Sequence, residues 1–235
     1  MKLLVGTSGF SYKEWKGSFY PEDLPAKSML SYYSERLPAV EINNTFYRMP
    51  QQSLLESWRA QVGESFRFSL KAPQRITHFK RLKEAGEETR YFLETTTVLS
   101  ESLGVILFQL PPNMKKDLSR LENFLQSLPA SARVAFEFRH PTWFDDEILT
   151  VLRENNRALC ISDTDDLPAT QIDTTADWGY LRLRRVAYSE PDLGQWLERL
   201  KAQPWRETFV FFKHEDEGTG PKLAAQFLAL AEKVI

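Results

Sequence analysis

Cysteine is almost absent: the one in 235 residues, Cys160, lies in the apolar run RALCIS. An intrachain disulfide is excluded, and a buried, inert thiol in a reducing compartment is the expectation. An excess of one charge is lacking as well. Thirty Lys and Arg face 32 Asp and Glu, a net charge of −2. The global balance therefore points to neither a nucleic-acid nor a membrane partner, and any positive field must be local. No hydrophobic run approaches a membrane span, and the opening MKLLVGTSG is too short for a secretory leader core, so a cytoplasmic protein is expected. The first turn, GTSGFS, lacks the G-x-G-x-x-G spacing, and neither a phosphate-cradling glycine loop nor a G-x-S-x-G elbow occurs. Histidine is scarce too. His78, His140 and His214 have no H-E-x-x-H spacing, so no cofactor is identified. A divalent metal held with Glu41, Glu137, Asp163, Glu215 or Asp216 is a minor option.

What is present is a core-forming composition, 42% hydrophobic and 26% charged, which fits a folded chain rather than a disordered one. Short β-branched or aromatic runs alternate with longer segments of helical period. The candidate strands are LLVGT from Leu3, AVEIN from Ala39, FRFSLK from Phe66, GVILFQL from Gly104, ARVAFEF from Ala132, RALCIS from Arg157, GYLRLR from Gly179 and TFVFFK from Thr208. QSLLESWRAQV, EETRYFLETTTVLSE, LSRLENFLQSL, DDEILTVLRENN, DLGQWLERLKA and PKLAAQFLALAEKVI repeat apolar residues at three and four, as helices packed on a sheet do. One connection differs: Asp163 to Asp177 reads as a long loop with little helix. About eight parallel strands with crossover helices predict a closed (β/α)8 TIM barrel, one domain over residues 1–235.

Alternate side chains on a strand face opposite sides. Val40 and Ile42 suit the helix layer, which turns Glu41 and Asn43 inward. Phe66, Phe68 and Leu70 likewise leave Arg67, Ser69 and Lys71 inside; Phe136 and Phe138 leave Glu137 and Arg139; Leu181 and Leu183 leave Arg182 and Arg184. Gln109, Asp163 and Lys213 are assigned inward at the ends of strands 4, 6 and 8. Barrel interiors are ordinarily filled by Val, Ile and Leu, so inward charge near the C-terminal rim marks a site. Cations outnumber anions there, which predicts an anionic ligand held by guanidinium groups; a closed network of structural ion pairs is the alternative. Loop aromatics add a stacking surface: Tyr12, Trp15, Phe19 and Tyr20 after strand 1, Phe46 and Tyr47 after strand 2, Trp143 and Phe144 after strand 5. The segment KAPQRITHFKRLK from Lys71 is a local basic patch that could meet a polyanion.

The runs GTSGFSYKEWKGSFYP from Gly6, VEINNTFYRMP from Val40, FRFSLKAPQRITH from Phe66, LGVILFQLPPNM from Leu103 and FEFRHPTWF from Phe136 closely resemble the YecE-like family, the domain of unknown function numbered 72. The resemblance spans nearly the whole chain and implies a TIM-barrel architecture without supplying an activity. It marks a shared pocket of Thr7, Ser8, Tyr12, Trp15, Glu41, Asn43, Phe46, Tyr47, Arg48, Lys71, His78, Gln109, Glu137, Arg139, His140 and Trp143. Two places depart from the family pattern: Arg184 and Arg185 stand where His-Gly is frequent, and KHEDEGTGP stands where an Asn-Asn-Asp run is frequent. The expectation is an enzyme (hydrolase, lyase or isomerase) acting on a small polar anion such as a phosphorylated sugar or nucleotide fragment. Arg139, Arg182 and Lys71 would bind the anion, Glu41 or Glu137 would act as base, and His78 or His140 would exchange a proton. A nucleic-acid-binding or DNA-processing protein is the alternative, a non-catalytic ligand sensor the second; no protein partner is indicated.

Overall fold

The computed structural model describes residues 1–213 and 216–234; His214 and Glu215, two of the residues considered for a metal, lie outside them. Eight parallel strands close into a barrel in chain order: β1 (Lys2–Ser8), β2 (Ala39–Ile42), β3 (Arg67–Lys71), β4 (Leu103–Gln109), β5 (Val134–Glu137), β6 (Ala158–Asp163), β7 (Trp178–Leu183) and β8 (Glu207–Phe212). Closure is made by β1 pairing with β8, Leu4 opposite Phe209 and Gly6 opposite Phe211. Every strand candidate falls on one of these elements, with ends differing by one or two residues. This is the (β/α)8 TIM barrel that the alternation of periods predicts.

Two apolar populations follow the two strand faces. Val40, Ile42, Phe66, Phe68, Leu70, Phe136, Phe138, Leu181 and Leu183 pack into the layer between barrel and helices. Inside the barrel, Leu4, Ala39, Val105, Leu107, Ala135, Ala158, Cys160, Trp178, Tyr180, Phe209 and Phe211 form a separate cluster. Large rings on β7 and β8 are accommodated because β2, β5 and β6 supply alanine to the same interior. The thiol of Cys160 is buried in this cluster, and burial pushes its pKa well up, as expected for an inert cysteine.

The outer helices are α1 (Met29–Ser34), α2 (Asn44–Tyr47), α3 (Gln52–Arg59), α4 (Gly86–Thr96), α5 (Leu118–Gln126), α6 (Asp146–Glu154), α7 (Glu190–Lys201) and α8 (Thr219–Val234). Three of their starts are chemically marked. Asp117 and Asp145 cap α5 and α6 by accepting from Arg120 N and Ile148 N, and Ser189 with Asp192 forms a reciprocal capping box on α7. No helix joins β6 to β7, so residues 164–177 run as the loop that their composition indicates. Among the described residues no helix is long and apolar enough to cross a membrane.

Candidate functional site

At the C-terminal rim the apolar interior gives way to a polar layer built by strand parity. Glu41, Glu137 and Arg182 come from β2, β5 and β7, and all three are buried. Arg182 is the fork between the two carboxylates: its Nη1 donates to Glu137 Oε2 at 2.6 Å and its Nη2 to Glu41 Oε1 at 2.9 Å. Glu41 also accepts from Ser8 Oγ (2.7 Å) and Asn43 Nδ2 (3.1 Å) on Oε1 and from the Tyr180 hydroxyl (2.7 Å) on Oε2. Glu137 accepts from Gln109 Nε2 at 2.8 Å and from Arg139 Nε at 3.2 Å, with Arg184 Nη1 at 3.6 Å.

Both carboxylates are therefore ionised. Burial alone pushes Glu41 and Glu137 upward, but the charge of Arg182 and the hydrogen bonds aimed at them outweigh it. Glu41 ends below the ordinary carboxylate range and Glu137 at about 2. The same ion pairs push Arg182 up in spite of its burial, whereas burial and the neighbouring Arg182 lower Arg184.

Lys71, at the end of β3, places its ammonium 3.9 Å over the ring of Phe46, a cation–π contact. Beside it, His78 packs edge-on against Phe46, its ring centroid 4.8 Å away, and pairs through Nδ1 with Thr77 Oγ1 at 2.9 Å. His78 sits in a single π turn, Arg75–Phe79, a local distortion frequent at functional sites. Burial, with Lys71 and Arg139 nearby, lowers its pKa, so its ring is neutral at pH 7.

Among the described residues the rim thus holds four cations, Lys71, Arg139, Arg182 and Arg184, against the two carboxylates Glu41 and Glu137. Two buried polar atoms of the barrel interior, Ser69 Oγ and Arg182 Nε, have no hydrogen-bond partner among the described residues. Two surface grooves lie elsewhere, one between residues 82–86 and α5 and one at the barrel's other end.

Several residues expected at the site are placed otherwise. Asp163 has the outer parity of β6, because Ala158 and Cys160 take the inner one. Its carboxylate is held by Arg185 Nε and the Tyr188 hydroxyl, both at 2.8 Å, and leaves the rim's charge count. Thr7 is also outward, bonded to Tyr33 of α1. Trp15 is fully buried in the helix-layer core near Tyr20 and Phe19, and Tyr12 leans on it while donating to Ser8 O. Trp143 stacks on Phe138 with ring centroids 4.6 Å apart and donates Nε1–H to Met114 O at 2.7 Å. Trp15 and Trp143 are thus buried in packing contacts, and Tyr12 is half-buried against Trp15. Tyr47, Arg48 and Lys213 are exposed, and His140 spends Nδ1 on the turn that it caps, against Thr142. Among the described residues no three of His, Cys, Asp and Glu gather to hold a metal ion.

One site residue goes unnoticed in the sequence: Tyr180, two residues before Arg182 and so on the same inward face, reads as a core aromatic until its hydroxyl is found on Glu41. In the basic segment, Arg75 Nε and Lys80 Nζ both reach Glu88, and Arg81 bonds Asn113. The single carboxylate offsets one of the segment's cations, and the neutral amide offsets none. For Trp143→Phe, loss of one buried hydrogen bond and some packing area predicts a stability decrease of about 1–2 kcal/mol with unchanged ligand affinity; urea unfolding and a binding titration check it, and weakened binding would restore Trp143 to the site.

A family model described as protein of unknown function DUF72 matches residues 4–234. The UPF0759 protein YecE of Escherichia coli K12 is 33% identical over 116 residues, a stretch that spans 49% of this chain and 43% of that relative. The chain thus spans less than half the length of that curated relative. UPF0759 protein YunF of Bacillus subtilis 168 is 22% identical over 92% of this chain and 79% of its own. Among solved structures, a DUF72 family protein of Thermotoga maritima MSB8 superposes with a TM-score of 0.80 at 28% identity, covering 99% of this chain and 100% of that one. A more distant barrel, a GH5_18 variant from Bifidobacterium longum in complex with Manb1-4GlcNAc, gives 0.62 at 12% identity over 100% of this chain and 78% of that one. With the model match running almost end to end over a barrel of the same shape, this chain belongs to the DUF72 family.

Proposed function

We propose that the rim binds a small anionic metabolite, one carrying a phosphate or carboxylate group, and that the chain is an enzyme acting on it. The observation that carries this is the surplus of two cations over carboxylates among the described residues of the polar layer. Arg182 is fixed by both carboxylates, so the anion falls to Arg139, Arg184 and Lys71 at the mouth of the barrel. Planar guanidinium groups take phosphate or carboxylate with two parallel hydrogen bonds. Glu137 orients Arg139 and Arg184 while Glu41 holds Arg182, and neutral His78 is the group able to take a proton from a ligand seated on Lys71.

The disaccharide in the distant barrel neighbour raises glycoside hydrolysis. That chemistry needs one carboxyl held protonated as general acid. Here both are held ionised, which favours an anion site over a glycosidase.

Inorganic phosphate is expected to raise the thermal midpoint of the wild-type chain. Arg139→Ala with Arg184→Ala is expected to weaken that protection roughly 10-fold or more, since each charge-assisted hydrogen bond contributes about 1.5–3 kcal/mol. Protection unchanged in the double variant, measured as midpoint against phosphate concentration, would remove the proposal.

A further inference from the structure

Among the described residues Lys71 differs from the other rim cations in forming no ion pair. Each arginine of the layer meets Glu137, and Arg182 meets Glu41 as well. Among the described residues no carboxylate oxygen comes within 4.0 Å of Lys71 Nζ. Its ammonium lies over an aromatic face, Phe46, itself buried at the start of the chain segment after β2. The charged groups around it come from four elements: Arg182 of β7, Glu137 and Arg139 at the end of β5, Glu41 of β2, and His78 on the turn after β3 itself. Burial comes first and Arg182 next in bringing the amine down to about 8; Glu137 and Glu41 oppose this only in part, and Arg139 adds to it. Roughly a tenth of the side chain is then the free amine at pH 7, against fewer than about one in a thousand for an ordinary lysine. An amine desolvated beside other cations is the arrangement by which lysines become nucleophiles toward carbonyl groups.

Taking the substrate class from the anion site proposed above, we infer that Lys71 condenses with the carbonyl group of an anionic aldehyde, ketone or 2-oxo acid, whose phosphate or carboxylate rests on Arg139 and Arg184. The nitrogen lone pair forms a C–N bond as the carbonyl π pair moves to oxygen. A proton passes from nitrogen to that oxygen, giving a carbinolamine. One further proton, taken from solvent, converts the hydroxyl into departing water as the nitrogen lone pair closes the C=N bond. Amine, carbonyl and one proton become iminium and water, with no change in oxidation state. Neutral His78, edge-on to the same Phe46 ring that carries the Lys71 ammonium, is placed to relay these protons. The cationic iminium replaces the ammonium above Phe46, so the cation–π contact is kept.

Borohydride trapping tests this. The intact chain is incubated separately with glyceraldehyde 3-phosphate, with pyruvate and with uncharged glycolaldehyde, reduced with borohydride, and mapped by peptide mass spectrometry. The expected result is an adduct on Lys71 exceeding that on any other lysine by roughly 10-fold, with a rate that climbs as pH rises toward about 8. Lys71→Arg, or Lys71→Gln should the arginine overfill the site, abolishes it while thermal unfolding shows a folded chain. The phosphorylated and carboxylated probes reveal which anionic group the site takes. Labelling of Lys71 no greater than that of surface lysines overturns the inference. If phosphate still protects wild type against heat in that case, the anion site survives without the nucleophile. If Lys71 is labelled equally by glycolaldehyde and by the anionic probes, and phosphate gives no protection, the nucleophile survives without the anion site.

Discussion

Arg182→Ala is expected to cost roughly 3–5 kcal/mol of folding stability, because it strands two carboxylates in the barrel interior. Glu41 and Glu137 are both buried, and one guanidinium bridges them at 2.9 and 2.6 Å. With that group removed, Ser8, Asn43, Tyr180 and Gln109 still donate hydrogen bonds, but the compensating charge for Glu41 is lost and Glu137 keeps only the less buried Arg139 and Arg184. The carboxylates would respond by taking up protons at higher pH. For a chain of this length the loss corresponds to about 2–4 °C in melting temperature per kcal/mol. Arg182→Lys should recover little, since an ammonium has no planar fork to span two partners. The triple change Arg182→Met, Glu41→Gln, Glu137→Gln should recover much of it, since the penalty lies in uncompensated charge and not in missing attraction. A urea unfolding series in which Arg182→Ala lost under about 1 kcal/mol would contradict this account of the layer.

Strand parity makes most of this site legible in the sequence. Where apolar residues occupy alternate positions, as in Val40 and Ile42 or Leu181 and Leu183, the residues between them must face inward; Glu41, Glu137 and Arg182 do meet inside. Asp163 is the instructive exception. A place at a strand end is not sufficient for an inward side chain, and counting back through Cys160 and Ala158 puts Asp163 on the other face. Loops offer no such counting rule. Trp15 and Trp143 follow strands, as rim residues do, yet both rings fold back onto the helix layer, where a large apolar area is buried more favourably than at a wet mouth. The helix α1, MLSYYS, is six residues long and has too few turns for a periodic signal. Tyr180 has the right parity but the wrong chemistry for notice: an aromatic beside Phe209 reads as core, and only its hydroxyl, invisible to hydrophobic patterning, joins it to Glu41.

The ion pairs that hold the rim carboxylates ionised also make the fold sensitive to acid. Glu137 has a folded pKa of about 2 against an ordinary 4.5, and Glu41 is lowered in the same direction. For a carboxyl depressed on folding, the stabilisation is fully present above the unfolded pKa and disappears as pH falls through the folded one. Stability should therefore be level from pH 7 to about 5 and decline between about 4.5 and 2. At about 1.4 kcal/mol per pKa unit, Glu137 alone accounts for roughly 3 kcal/mol of that decline. In Glu137→Gln the decline should be shallower by a comparable amount, although the variant starts lower at pH 7, where Arg139, Arg184 and one arm of Arg182 have lost their counter-charge. Chemical unfolding at closely spaced pH values separates the two effects, one in the plateau and one in the slope. Equal slopes in wild type and Glu137→Gln would mean that Glu137 is not held ionised by Arg182. The cations that it orients would then have to be positioned by something other than this ion pair.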